Sequence, residues 1–158
     1  MSDAVGFGRL SRNWTHWSGL AQLNAVSVTT SCPDCDVLFS SDEQSVHLRH
    51  DGDWRVDTVN DRGQRQNDTA VFSTFELAEK YLVWIWGCTA RSVVHEPILG
   101  RRLYDSGFDP DVVAAPISEG TYELRSPQGR AVLMEPYATI FSHLMGTSEE
   151  EIERMLKA

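Results

Sequence analysis

Residues 72–87, Phe-Ser-Thr-Phe-Glu-Leu-Ala-Glu-Lys-Tyr-Leu-Val-Trp-Ile-Trp-Gly, constrain the fold more than any other part of the chain. Ser73 and Glu76 stand three residues apart, the spacing at which a hydroxyl and a carboxylate cap each other's backbone N–H groups at a helix start. Gly87 is the expected stop. Between them Phe75, Ala78, Tyr81, Leu82, Ile85 and Trp86 recur at helical spacing, with Glu76, Glu79 and Lys80 on the opposite side of the first turns. Val83 and Trp84 break that polar side, so the last turns must be covered in most directions. The apolar run is too short to cross a bilayer and reads as a core helix.

The rest of the chain supplies partners for such a helix. Leu10, Trp14, Trp17 and Leu20 form a stripe over about residues 8–23, an amphipathic helix. Val26 and Val28 alternate in a strand at 25–30, residues 31–36 form a turn, and Val37-Leu38-Phe39 starts a second strand. Ser45–His50 and Trp54–Val59 flank Asp51-Gly52-Asp53, a tight hairpin because Asp-Gly supplies the positive φ the turn needs. Asn60 to Asp68 lacks a single apolar side chain and reads as a long exposed loop, followed by a brief strand, Thr69–Phe72. Pro97, Gly100, Gly107, Pro110 and Pro116 mark an irregular crossing. Thr121–Arg125 and Arg130–Met134 make a second hairpin, Tyr137–Met145 a helix closed by Gly146, and Ser148 with Glu151 caps a final helix. Helix, strands, helix, strands, helices is the order of an α+β domain with an antiparallel sheet of hairpins packed on a central helix, a single domain over 1–158 with a flexible lead-in at 1–8.

Charge narrows the partner. A net charge of -9 argues against nucleic acid and anionic membranes, which are bound through excess Lys and Arg, and favours a basic partner. Arginine supplies 12 of the 14 basic residues, favouring bidentate pairing. Without a secretory leader pattern or a membrane span, the expectation is a cytoplasmic protein. The 3 cysteines are an odd number and a poor disulfide framework. Cys32-Pro33-Asp34-Cys35 has the spacing of a zinc half-site or a redox dithiol, but its second half is missing, since His47, His50, Cys88 and His95 are scattered. A strand follows Cys35 where a redox thiolate needs a helix N-terminus, so a plain surface turn without metal is expected. His47 and His50 face opposite ways on a strand and cannot chelate together. His143 falls on an apolar stripe as a hydrogen-bonded core or interface histidine. Serine-elbow, phosphate-loop, dinucleotide and metalloprotease motifs are absent, and neither a catalytic residue nor a cofactor is expected. Of the 5 tryptophans, Trp14, Trp17 and Trp86 read as core, with Trp54 and Trp84 open.

The polar stretch is the candidate binding element: Asp61, Arg62, Gly63, Gln64, Arg65, Gln66 and Asn67 form a donor-rich protrusion with a flexible glycine apex on an otherwise acidic scaffold. A solvated connection with no role is the alternative.

Phe72-Ser73-Thr74, Glu79-Lys80-Tyr81-Leu82, Gly87 and Arg91-Ser92, then Tyr122-Glu123-Leu124 with Pro127-Gln128-Gly129-Arg130-Ala131-Val132, and Ala138–Met145 leading to Ser148-Glu149-Glu150-Glu151-Ile152, together resemble the immunity protein 61 family. That family includes the antitoxin of the tuberculosis necrotizing toxin. The likeness runs from about Trp14 onward and is strongest after Phe72. It implies a cytoplasmic, non-catalytic antitoxin that occludes the active site of a toxin, an NAD glycohydrolase in the best-known pairing, by inserting a loop. A secretion chaperone or adaptor and a small enzyme are the other classes left open by composition.

Overall fold

The Asp51-Gly52-Asp53 hairpin sets a parity that organises the molecule: Val46, Leu48, Trp54 and Val56 turn inward and are buried, while Arg49 and Arg55 turn to the other face. The computed structural model describes residues 6–94 and 98–157. Its strands are β1 (Ser27–Thr29), β2 (Val37–Ser40), β3 (Ser45–Asp51), β4 (Asp53–Val59), β5 (Arg65–Phe72), β6 (Val113–Ser118), β7 (Thr121–Ser126) and β8 (Gly129–Met134). They form one antiparallel sheet of eight in the order β1-β2-β3-β4-β5-β8-β7-β6. After β5 the chain leaves the sheet through α2 (Phe75–Val94) and α3 (Ile98–Asp105), re-enters at the far edge as β6, and works back until β8 pairs with β5 through Val71↔Val132 and Phe72↔Ala131. α1 (Gly8–Leu20) and α5 (Glu149–Lys157) pack on α2, and α4 (Tyr137–Ser142) packs on β7 and β8. The expected α+β class, both hairpins and the central helix are all present. No helix among the described residues is long and apolar enough to cross a membrane.

α2 is enclosed more completely than its sequence suggests. Leu77, Leu82, Val83, Trp84 and Trp86 are all buried, each contributing about 1.5–3 kcal/mol. Trp14 of α1, Phe39 of β2 and Trp86 pack as a three-ring cluster with centroids 4.9–6.3 Å apart, fastening both helices to the sheet. The expected polar side is overturned in part: Glu79 and Lys80 are buried, with Lys80 Nζ donating to the Met145 carbonyl at 2.8 Å. The cap also differs. Thr74 Oγ1 accepts from the Leu77 N–H at 3.2 Å, whereas Ser73 Oγ accepts from the Arg130 N–H at 2.8 Å and knits β5 to β8. Gly87 does not stop the helix, which runs on to Val94. A Cβ at Gly87 would lie 2.5 Å from a terminal carbon of Leu156, so this glycine is where α5 comes close to α2.

The remaining differences lie in the crossing and at the ends. The irregular crossing contains α3 and β6, and Leu20, the last residue of the α1 stripe, is exposed. Ser148 Oγ accepts from the Glu151 N–H at 3.1 Å, the expected cap of α5. Of the lead-in, residues 1–5 lie outside the described residues, as do His95 and Pro97; Phe7 packs edge-on against Phe75 at 5.7 Å and Gly8 opens α1.

Candidate functional site

The stretch Asn60 to Asp68 is not a long loop. β4 and β5 continue through it, with Val59↔Arg65 and Thr58↔Gln66 as the last pairs, and only Asn60–Gln64 turns. Strand structure was hidden because the first half of β5 buries no apolar residue. The turn is closed from within: Asn60 Oδ1 accepts from the Arg62 and Gln64 N–H groups at 2.9 and 3.0 Å, Asn60 Nδ2 donates to Gln64 Oε1 at 2.8 Å, and the Gly63 N–H donates to the Asn60 carbonyl at 3.0 Å. Gly63 has φ +77°, a left-handed conformation that glycine adopts without steric penalty. Asp61, Arg62, Gly63 and Gln64 form the exposed tip, while Arg65, Gln66 and Asn67 belong to β5.

Below the tip lies a charged network on the sheet's outer face, organised by Asp57, which is fully buried. Between Val56↔Ala70 and Thr58↔Gln66 the register shifts, and Asp68 takes a left-handed φ of 55° that aims its N–H at Asp57 Oδ1, 2.8 Å away. Asp57 Oδ2 accepts from Arg49 Nε at 2.8 Å and Arg65 Nη2 at 2.9 Å. Burial pushes the Asp57 carboxyl toward its neutral form, but the hydrogen bonds from Arg49, the Asp68 N–H and Arg65 outweigh it and hold the pKa below the ordinary carboxylate value. Arg65 donates also to Asp34 Oδ2 at 2.7 Å and to Asn67 Oδ1 at 3.0 Å, so its guanidinium is occupied by the fold. Of the two arginines in the candidate element, Arg62 is the one presented at the tip. Sequence alone missed Asp57, although its place opposite His47 in the hairpin register was available.

The Cys32–Cys35 turn departs from expectation: the two cysteines form a disulfide. Antiparallel pairing of β2 with β3 carries His47 to it, leaving Nδ1 3.6 Å from Cys32 Sγ and 3.6 Å from Asp34 Oδ1. Burial and the Arg65 guanidinium lower the His47 pKa against the pull of Asp34 and Asp57. His50 stays apart, stacked on Trp54 at 4.3 Å.

Other candidates are structural. All five tryptophans are buried, Trp54 and Trp84 included. His143 Nε2 lies 2.6 Å from the Gly107 carbonyl oxygen, as a hydrogen-bonded histidine should. The β6 edge exposes Val113 and Ile117, and the strand carries Pro116, a residue that sheets confine to edge strands and bulges.

A family model described as immunity protein 61 matches residues 17–157. Among solved structures, "Rv3902c from M. tuberculosis" superposes with a TM-score of 0.66 at 14% identity, covering 91% of this chain and 88% of that one, a likeness of fold. No curated protein matches.

Proposed function

The chain belongs to the immunity protein 61 family, and from that premise we propose that it neutralises an NAD-hydrolysing toxin by seating the β4–β5 turn at the toxin's active-site cleft. An immunity role with a protein toxin as partner follows from the family; the target and the contact are the proposed part. The observation that carries the contact is the turn itself, a five-residue projection, Asn60–Gln64, held by its own hydrogen bonds and footed on the Asp57 network. A projection ordered before binding loses little conformational freedom on docking, which favours affinity. Inhibition of this kind needs no chemistry from the chain.

The net charge of -9 supports a basic toxin surface, because complementary fields speed encounter and are screened by salt. Association should slow markedly between low and physiological ionic strength while dissociation changes little. The direct test mixes the protein with its cognate toxin domain and follows NAD hydrolysis. Turnover should vanish at one equivalent. Tight binding with undiminished turnover contradicts occlusion, and neutralisation of a toxin that does not consume NAD keeps the immunity role while moving its target class.

A further inference from the structure

We propose that Cys32, Cys35, His47 and Asp34 are the ligands of a zinc site that opens when the Cys32–Cys35 disulfide is reduced. The fold supplies the half-site that the sequence lacks. Pro33 and Asp34 bend the chain so that both sulfurs sit on one side, and the β2–β3 register brings up His47 from 12 residues beyond Cys35. One ligand atom from each of the four residues lies within 4.8 Å of every other. Zinc bonds of about 2.0–2.3 Å in a tetrahedron separate the ligand atoms by roughly 3.3–3.8 Å, so the cluster needs side-chain rotation and no new backbone path. Two soft thiolates with an imidazole select zinc over magnesium or calcium.

Asp34 divides its two oxygens in a way that fits. Oδ2 accepts from Arg65 at 2.7 Å, while Oδ1 faces Cys32 Sγ at 3.2 Å, a contact that is not a hydrogen bond because a disulfide sulfur carries no proton. A metal on Oδ1 leaves the Arg65 bond intact. Two thiolates, one carboxylate and Zn2+ sum to one negative charge, which Arg65 balances. Cys32, Cys35 and His47 are partly exposed and Asp34 is exposed, so a metal reaches the site without unfolding.

The chemistry balances with a thiol reductant. Two equivalents of a small thiol pass two electrons and two protons to the disulfide, giving two cysteine thiols and one oxidised reductant. Zinc then displaces both thiol protons to solvent. The oxidised chain has no thiolate to offer and should not bind.

The experiment uses the full chain, reduced with a phosphine and then freed of it under anaerobic conditions, titrated with Co2+ and back-titrated with Zn2+. One equivalent of Co2+ should give sulfur-to-metal charge transfer and the intense visible bands of tetrahedral cobalt, both erased by one equivalent of Zn2+. His47→Ala should weaken binding by more than about 100-fold, since even groups that only orient a ligand contribute about 10–100-fold. His50→Ala should leave binding unchanged. The unreduced chain, which needs no mutation and keeps its fold, is the internal control and should stay colourless. Equal binding by the oxidised and reduced chains overturns the site. So does a weak octahedral cobalt spectrum, an absence of binding after reduction, or a His47→Ala protein that binds as the parent does.

Discussion

The outer face of the sheet and the helical layer each bury a carboxylate, and the two behave in opposite ways. Asp57, on the sheet, is fully buried yet held ionised by two arginines and a backbone N–H. Glu79, on α2, is nearly as buried, but it faces Glu149 at the start of α5; burial first, and that second carboxyl next, push it up to about 9. Glu149 Oε1 is itself buried without a hydrogen-bond donor, so a proton kept by Glu79 serves both groups. Arg9 is the nearby cation that pulls the other way. Burial does not decide charge; the donors that come with it do. On the sheet's face those donors also tie together the strands on which the turn stands, which is why the polar side of the molecule is the ordered platform and the apolar side the scaffold.

The contrast is tested most severely in the scaffold. Leu82→Asp places an unpaired charge in the buried core and should cost more than about 4 kcal/mol, leaving no soluble folded protein, as circular dichroism and expression would show. Asp57→Ala should cost about 2–3 kcal/mol, less than a sealed ion pair because Arg49 and Arg65 can turn to water. Its amide exchange should rise in the β4–β5 turn and not in α2. Since the folded Asp57 pKa lies below its ordinary value, the network's contribution is present above that ordinary value and lost as pH falls through the folded one.

Glu79 has the opposite sign. Its folded pKa is raised, so the native state holds more protons than the unfolded between about 4.5 and about 9, and stability falls as pH rises through that window, by at most about 1.4 kcal/mol per pH unit. Glu79→Gln should flatten this alkaline limb in urea titrations, because an amide N–H supplies Glu149 at every pH; an unchanged limb would assign the slope elsewhere. Among the scaffold changes the smallest effect is expected at Gly87→Ala. Gain in helix propensity of about 1 kcal/mol opposes an overlap with Leu156 of about 1–3 kcal/mol, for a net loss near 1 kcal/mol. Combined with Leu156→Ala, the pair should cost less than the sum of the two single changes.

What the sequence revealed follows the same division. Both hairpins and the tryptophan stripe of α1 were legible because alternation, helical spacing and Asp-Gly act through neighbours in the chain. Gly87 reads locally as a helix stop, because Leu156, which requires it to be small, comes from far along the chain. Arg65–Asp68 reads as loop by composition because that part of β5 is held by Asp57, Asp34 and Arg55 rather than by an apolar face. The cysteine turn looked incomplete for the same reason: His47 joins it only through strand register. The tip of the candidate element was visible as composition, but that Arg65 is occupied and Arg62 presented is a fact of the fold.

The most direct measurement compares the parent with Arg62→Glu as inhibitors of the cognate toxin domain, with thermal melts alongside. Arg62 is exposed and its side chain takes no part in the turn's closure, so stability should move by less than about 0.5 kcal/mol. Inhibition should weaken by more than tenfold, about 1.4 kcal/mol of lost contact. Unaltered inhibition by a fully folded Arg62→Glu protein would contradict the assignment of the β4–β5 turn as the toxin-contacting element.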